Sequence, residues 1–151
     1  MKRIIAILTF TLLLLLASCS STNQQDLDIE KAQKIMDYNK KKFDNLALSG
    51  KVVNGIRQID LKSYQYSFDP DTIVVKKGEK IRLTIDVVDV PHGFEIEGMH
   101  IPGWDINEPL KKGEKKTAEF TADDAGSWDM VCTTYCGPGH SGMKGKFIVK
   151  E

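Results

Sequence analysis

Lys80-Ile81-Arg82-Leu83-Thr84-Ile85-Asp86-Val87 decides the fold class of this chain. Ile81, Leu83, Ile85 and Val87 alternate with Arg82, Thr84 and Asp86, and a period of two is the signature of a strand with one face against a core. Working outward, Ile73 and Val75 are separated from this strand by the turn Lys77-Gly78-Glu79, and Asp69-Pro70-Asp71 is a turn before them. Ile59 and Leu61 share one face, whereas Tyr64, Tyr66 and Phe68 fall on the opposite parity, which predicts a bulge or bend near Lys62 and Ser63. Ala118, Phe120 and Ala122 alternate again, as do Trp128, Met130 and Cys132, and Phe147 and Val149 mark a last strand. Short strands with glycine-rich turns and no helical period predict an all-β sandwich or barrel over residues 51–151.

Before Gly50 the pattern is different. Ser20 to Gln25 is polar and reads as a tether, and Asp26 to Leu48 reads as a helix. Asp26, Asp28 and Glu30 suit its N-terminus, Lys40 to Lys42 its C-terminal end, and Ala32, Ile35, Met36, Phe43, Leu46 and Ala47 recur at roughly helical spacing. Ser49-Gly50 is expected to end it. A spacer of this kind over residues 19–50 would raise the β domain from its point of attachment.

Lys2 and Arg3 precede Ile4 to Leu16, an apolar run that ends in Ala17, Ser18 and Cys19. That run is short for a bilayer span and ends in small residues, as a secretory signal peptide over 1–18 does. Leu16-Ala17-Ser18-Cys19 resembles the lipobox of bacterial lipoproteins, which implies lipidation of Cys19 and a chain exported and held at a membrane face toward the periplasm or cell exterior. The 21 basic and 21 acidic side chains give zero net charge. With no basic cluster over the globular part, a nucleic-acid surface is not expected. Nor does the chain carry a phosphate-binding loop, a dinucleotide fingerprint or a nucleophile beside a base.

The chemistry is concentrated in Cys132-Thr133-Thr134-Tyr135-Cys136-Gly137-Pro138-Gly139-His140-Ser141-Gly142-Met143. Gly-Pro-Gly forces a turn, so two thiols, an imidazole and a thioether can converge without following strand alternation. Soft thiolate and thioether donors with imidazole select copper over hard cations, and a methionine is wasted on zinc. Two cysteines can bridge two copper ions, each ion then needing an imidazole; His140 supplies one, and His92, soon after the strongest strand, is the candidate for the other. A Cys132–Cys136 disulfide, a zinc site and a mononuclear copper site with one cysteine free are the competing readings. Met99 and His100, on the loop after Ile96, could touch copper, although a lone histidine on a loop is more often exposed, and Trp104 and Trp128 read as packing groups more than as electron relays.

His92-Gly93-Phe94 after Asp89-Val90, the C-x-x-x-C-G-x-G-H-x-x-M run, and Lys144-Gly145-Lys146-Phe147-Ile148-Val149 together resemble the dinuclear copper A domain of haem-copper oxidase subunit II and of nitrous oxide reductase. The likeness extends from about Tyr66 to Glu151 and includes the F-x-P-x-x-I-x-V-x-x-G-x-x-I pattern from Phe68 to Ile81 that is typical of cupredoxins. It implies a Greek-key cupredoxin sandwich with His92, Cys132, Cys136, His140 and Met143 as copper ligands and the Thr134 backbone carbonyl as a weak axial donor. Two copper ions would then shuttle single electrons from a c-type cytochrome or similar donor. The resemblance also implies two alternatives: a peripheral subunit II of a terminal oxidase, docked on an oxidase core subunit, or a copper chaperone or store. Thr134 stands where oxidase subunits commonly carry Glu or Gln. In place of their transmembrane hairpins a lipid and spacer are expected, and Tyr64, Tyr66 and Phe68 lie nearest to the tryptophan-rich segment through which electrons enter.

Overall fold

The computed structural model describes residues 20–151, so the signal peptide expected over 1–18 and the lipidation site Cys19 lie outside the described residues. The chain divides into two compact units, with the division after Lys42. The described residues of the first belong to one helix, α1 (Ser20–Asp44), whose last two residues lie in the second unit. It begins earlier and ends earlier than the sequence pattern predicts. Ser20 to Gln25 contain no glycine or proline to break a helix, and Gln24 donates from Nε2 to Asp28 Oδ1 one turn on. At the other end, the helix gives way to a turn at Asn45 and Leu46, and Ala47 to Ser49 are irregular instead of helical, with Ser49 engaged by a strand. Its N–H donates to the Val74 carbonyl (2.8 Å) and its Oγ accepts from the Val74 N–H (2.9 Å). From Gln24 to Lys34 every side chain of α1 is exposed, so this stretch of the helix is solvated.

The second unit is a two-sheet sandwich. One sheet has the order β1 (Lys51–Val53), β2 (Ile56–Tyr64), β5 (Lys80–Val87), β7 (Lys115–Thr121), with β3 (Ser67–Asp69) also paired to β2. The other has the order β4 (Thr72–Lys76), β9 (Lys144–Lys150), β8 (Gly126–Val131), β6 (Glu95–Ile96). Pairs β2–β5 and β4–β9 are parallel, the rest antiparallel. The chain crosses between sheets after β3, β4, β5, β6 and β7. The expected all-β sandwich is therefore the observed one.

The core is what the alternation dictates. Ile81, Leu83, Ile85 and Val87 of β5 and Ile59 and Leu61 of β2 face Ile73 and Val75 of β4, Met130 of β8 and Phe147 and Val149 of β9, all fully buried. Each such side chain contributes ~1.5–3 kcal/mol on leaving water. The predicted bulge at Lys62 and Ser63 is not present. The inward parity of β2 continues through Ser63, which is fully buried, and Tyr64 is outward. Parity changes instead in the two-residue hairpin Gln65-Tyr66, where Tyr64 pairs with Ser67, so that Phe68 enters the core on β3. A second hairpin, with Asn54 at φ 51° and Gly55 at φ 78°, joins β1 to β2.

One buried charge organises the end of the sandwich where the chain comes in. Arg57 is bidentate to Glu79 (Nε to Oε2 2.6 Å, Nη2 to Oε1 2.7 Å) and donates from Nη1 to the Ser49 carbonyl at 2.8 Å. The guanidinium's hydrogen bonds, outweighing the opposing effect of burial, hold the Glu79 carboxyl below its ordinary 4.5. A carboxyl depressed in the folded state stabilises it fully above the unfolded value and loses that contribution as pH falls through the folded one. Acid unfolding of the native chain should therefore steepen below pH 4.5. Glu79→Gln should flatten that part of the profile and lower stability near neutrality by on the order of 2 kcal/mol, as checked by denaturant titration at a series of pH values.

Candidate metal centre

The Cys132–Met143 loop leaves β8 and returns as β9, and the ladder closes it at its base: Val131 pairs with Lys144, and the Cys132 N–H reaches the Met143 carbonyl. Within it, the 3-10 turn His140–Gly142 is held by the bonds His140 N–H to Gly137 O, Gly142 N–H to Gly139 O and Met143 N–H to His140 O, each 3.0 Å. This curls His140 and Met143 back toward the cysteines. His92 arrives from the β5–β6 connection, pinned by a reciprocal bridge to Leu110 (3.1 and 2.9 Å).

The donors meet as follows. Cys132 Sγ and Cys136 Sγ are 4.0 Å apart, both buried and both free thiols. His92 Nδ1 lies 3.6 Å from Cys132 Sγ, and His140 Nδ1 lies 3.7 Å from Cys136 Sγ. Met143 Sδ is 3.7 Å from Cys136 Sγ, and the Thr134 carbonyl oxygen is 3.1 Å from Cys132 Sγ. Ligand atoms of His92, Cys132 and Cys136 all lie within 4.8 Å of one another. Donors that share a tetrahedral ion at 2.0–2.3 Å stand roughly 3.3–3.8 Å apart. The imidazole–sulfur distances of 3.6 and 3.7 Å and the thioether–sulfur distance of 3.7 Å fall in that range, with the two sulfurs a little wider at 4.0 Å, and the set of thiol, thioether and imidazole fits copper.

The structure thus brings together all six groups singled out in the sequence. Met99 instead packs on the core and His100 is exposed, lining a groove with Glu95, Trp104 and Ile106. Trp104 donates from Nε1 to the Phe94 carbonyl (2.9 Å) with Lys116 over its ring, and Trp104 and Trp128 both pack against the core.

The surroundings of the two histidines differ. His92 is 1% exposed, and its Nε2 is bonded to Asp89 Oδ1 at 2.9 Å. Asp89 also accepts from the Val90 N–H and the Gln65 N–H, both 2.7 Å. Burial acts to raise the Asp89 carboxyl, but the Gln65, His92 and Val90 bonds outweigh it and hold it below its ordinary 3.8. An ionised carboxylate there draws the imidazole proton to Nε2 and leaves Nδ1 as a lone pair aimed at the sulfur. Asp89, the hydrogen-bond partner of His92, was not singled out in the sequence as a site residue; its position three residues before His92 was the available signal. His140 is half-buried, with Tyr135, 73% exposed, edge-on to its ring at 5.8 Å. Burial and the neighbouring Cys132 thiol push the Cys136 thiol up to about 11, so a metal entering the metal-free site must displace its proton.

The cupredoxin-like domain family matches residues 5–149. Cytochrome c oxidase subunit 2 of Thermus thermophilus is 35% identical over 89 residues, 59% of this chain and 62% of that protein, so the chain spans less than two thirds of that relative. Quinol oxidase subunit 2 of Sulfolobus acidocaldarius is 32% identical over 120 residues, 77% of this chain and 67% of that protein. Among solved structures, the metal-binding domain of the Cu(I)-exporting P-type ATPase of Streptococcus pneumoniae superposes with a TM-score of 0.53 and 22% identity, covering 69% of this chain and 95% of that one, which shows the common fold.

The two ligand segments touch at Gly93. A Cβ there would overlap Thr133 Oγ1 and stand 2.9 Å from Thr134 Oγ1 and 3.0 Å from the Thr134 nitrogen. Thr133 cannot yield freely, because its hydroxyl donates to the Ile106 carbonyl at 2.6 Å. Gly93→Ala is expected to destabilise the metal-free chain by about 1–3 kcal/mol, whereas Gly142→Ala, with nothing within 4 Å, should change it by under ~0.5 kcal/mol. Denaturant titration of the two variants side by side checks this.

Proposed function

This chain belongs to the cupredoxin-like domain family and is homologous to subunit 2 of cytochrome c and quinol oxidases, and from that premise we propose that it transfers single electrons through a dinuclear copper A centre. The observation that carries the proposal is the pair of free, buried sulfurs 4.0 Å apart, each with its own imidazole nitrogen at 3.6 or 3.7 Å. A disulfide would leave His92, His140 and Met143 converging without purpose. A zinc ion would have no use for Met143, and one copper ion would leave one cysteine–histidine pair idle.

His92, Cys132, Cys136, His140 and Met143 would hold the metal, with the Thr134 carbonyl alongside Cys132. Two copper ions bound there supply a one-electron couple shared between both metals, which reduces the bond-length change per electron. The protein's part is to keep the donors still. His92 and Met143 are each 1% exposed, Cys132 and Cys136 are buried, and the loop is anchored in the β8–β9 ladder. A set of ligands fixed on rigid elements needs little rearrangement when charge changes. Half-buried His140 with exposed Tyr135 forms the side of the site open to a partner, so electrons would pass there, not through enclosed His92.

The partner we propose is a c-type cytochrome or similar donor, with the chain held at a membrane face by lipid on Cys19, outside the cytoplasm. Domain bounds of 1–18, 19–50 and 51–151 go with this reading, as signal peptide, tether with spacer, and electron-transfer domain. Among the described residues no helix is long and apolar enough to cross a membrane. The second reading, a peripheral subunit II on an oxidase core subunit, is favoured by the subunit 2 relatives.

Electron paramagnetic resonance of the copper-loaded chain tests the centre. The expected spectrum is that of one unpaired electron split by two equivalent copper nuclei, and Cys136→Ser should convert it to a mononuclear pattern. A mononuclear pattern from the unaltered chain would overturn the proposal.

A further inference from the structure

We infer that Gln65, which lies far in sequence from both ligand segments, is a positioning residue that locks them into one unit. The inference rests on the ligand set proposed above. The His92 segment and the Cys132–Met143 loop come from separate connections of the sandwich, and their relative placement sets the distance between the two sulfur–imidazole pairs. Gln65 touches the outer support of both. Its main-chain N–H donates to Asp89 Oδ2 (2.7 Å), whose other oxygen is bonded to His92 Nε2 (2.9 Å). Its side-chain Nε2 donates to the Cys136 carbonyl at 2.5 Å. One residue thereby closes the path His92–Asp89–Gln65–Cys136 through three hydrogen bonds.

Two features of the chain are arranged around this contact. The hairpin between β2 and β3 has only Gln65 and Tyr66 at its tip, so the ladder pair Tyr64–Ser67 fixes where the amide is delivered. The ligand loop, in turn, has no side chain where the hairpin lands. A Cβ on Gly137 would stand 2.6 Å from Tyr66 Oη and 2.9 Å from Gln65 Nε2, and a Cβ on Gly139 would stand 2.5 Å from Tyr66 Cδ2. The bare backbone of Gly137 and Gly139 lets Tyr66 lie on the loop and Gln65 reach over the turn to the Cys136 carbonyl. Outer hydrogen bonds of this kind orient metal ligands before the metal arrives, and their loss weakens metal binding by tenfold or more.

The test uses the full chain in three forms: unaltered, Gln65→Glu and Gln58→Glu. Gln65→Glu keeps the length and the main-chain N–H but replaces the side-chain donor by an acceptor facing a carbonyl. Gln58→Glu makes the same change within β2, away from the hairpin tip. In the metal-free protein, amide hydrogen exchange over residues 136–142 should accelerate by about tenfold in Gln65→Glu and stay unchanged in Gln58→Glu. Chelator competition should show Cu(I) held about tenfold more weakly, and in the copper spectrum the two nuclei should become inequivalent. Should Gln65→Glu fail to fold, Gln65→Met deletes the donor without adding charge and is held to the same outcomes. Exchange and Cu(I) affinity equal to the unaltered chain, or the same changes in Gln58→Glu, would overturn the inference. A mononuclear spectrum from the unaltered chain would defeat the dinuclear reading alone, because the exchange comparison judges Gln65 without any metal.

Discussion

The metal end of the sandwich depends on the register of β8 against β9. With Val131 opposite Lys144, the two ends of the Cys132–Met143 loop are neighbours across a ladder, and the conformational entropy of closing the loop is met by sheet formation and not by the metal. Slipping this register by one residue would turn Met130 and Phe147 out of the core, where both are fully buried. The hydrophobic effect thus sets the position of the sulfurs. Local turns, supplied by Gly-Pro-Gly and the 3-10 turn, then suffice to bring His140 and Met143 back over Cys136.

The two imidazoles then play different parts from equivalent positions. His92 is enclosed and tied through Asp89 to the β2–β3 hairpin, so its orientation is set by three segments of chain at once. His140 belongs to the same loop as the sulfurs, is half-buried, and has an exposed tyrosine ring edge-on to it. A site built this way is enclosed on its His92 side and approachable on its His140 side.

The opposite end of β9 holds the segment that precedes β1. Lys150, six residues or about 20 Å along the strand from Lys144, donates to the carbonyls of Asp44 and Leu46, while Arg57 and Val74 hold Ser49. Residues 44–49 are therefore fastened to β4, β9 and the Arg57–Glu79 pair at a distance from the Cys132–Met143 loop.

The alternation of Lys80–Val87 and its partners determined a β sandwich, because burial of one face admits only a period of two, and the order of Cys, Cys, His and Met determined a soft-metal chemistry. Residue types also carried a signal that went unused: Asn54-Gly55 is a hairpin turn whose flanks proved to be β1 and β2. The parity of β2 past Lys62 could not be read, since a polar Ser63 faces inward and Tyr64 outward, against their usual preferences. The end of α1 was equally hidden, for its last turn gives way to a hydrogen bond with Val74 across the sandwich edge. Only the tertiary structure decided that His92 meets Cys132 and that Asp89 and Gln65 join the two ligand segments. Those contacts span 24 to 71 residues of chain, and their partners are chosen by which strands pair and not by any local pattern.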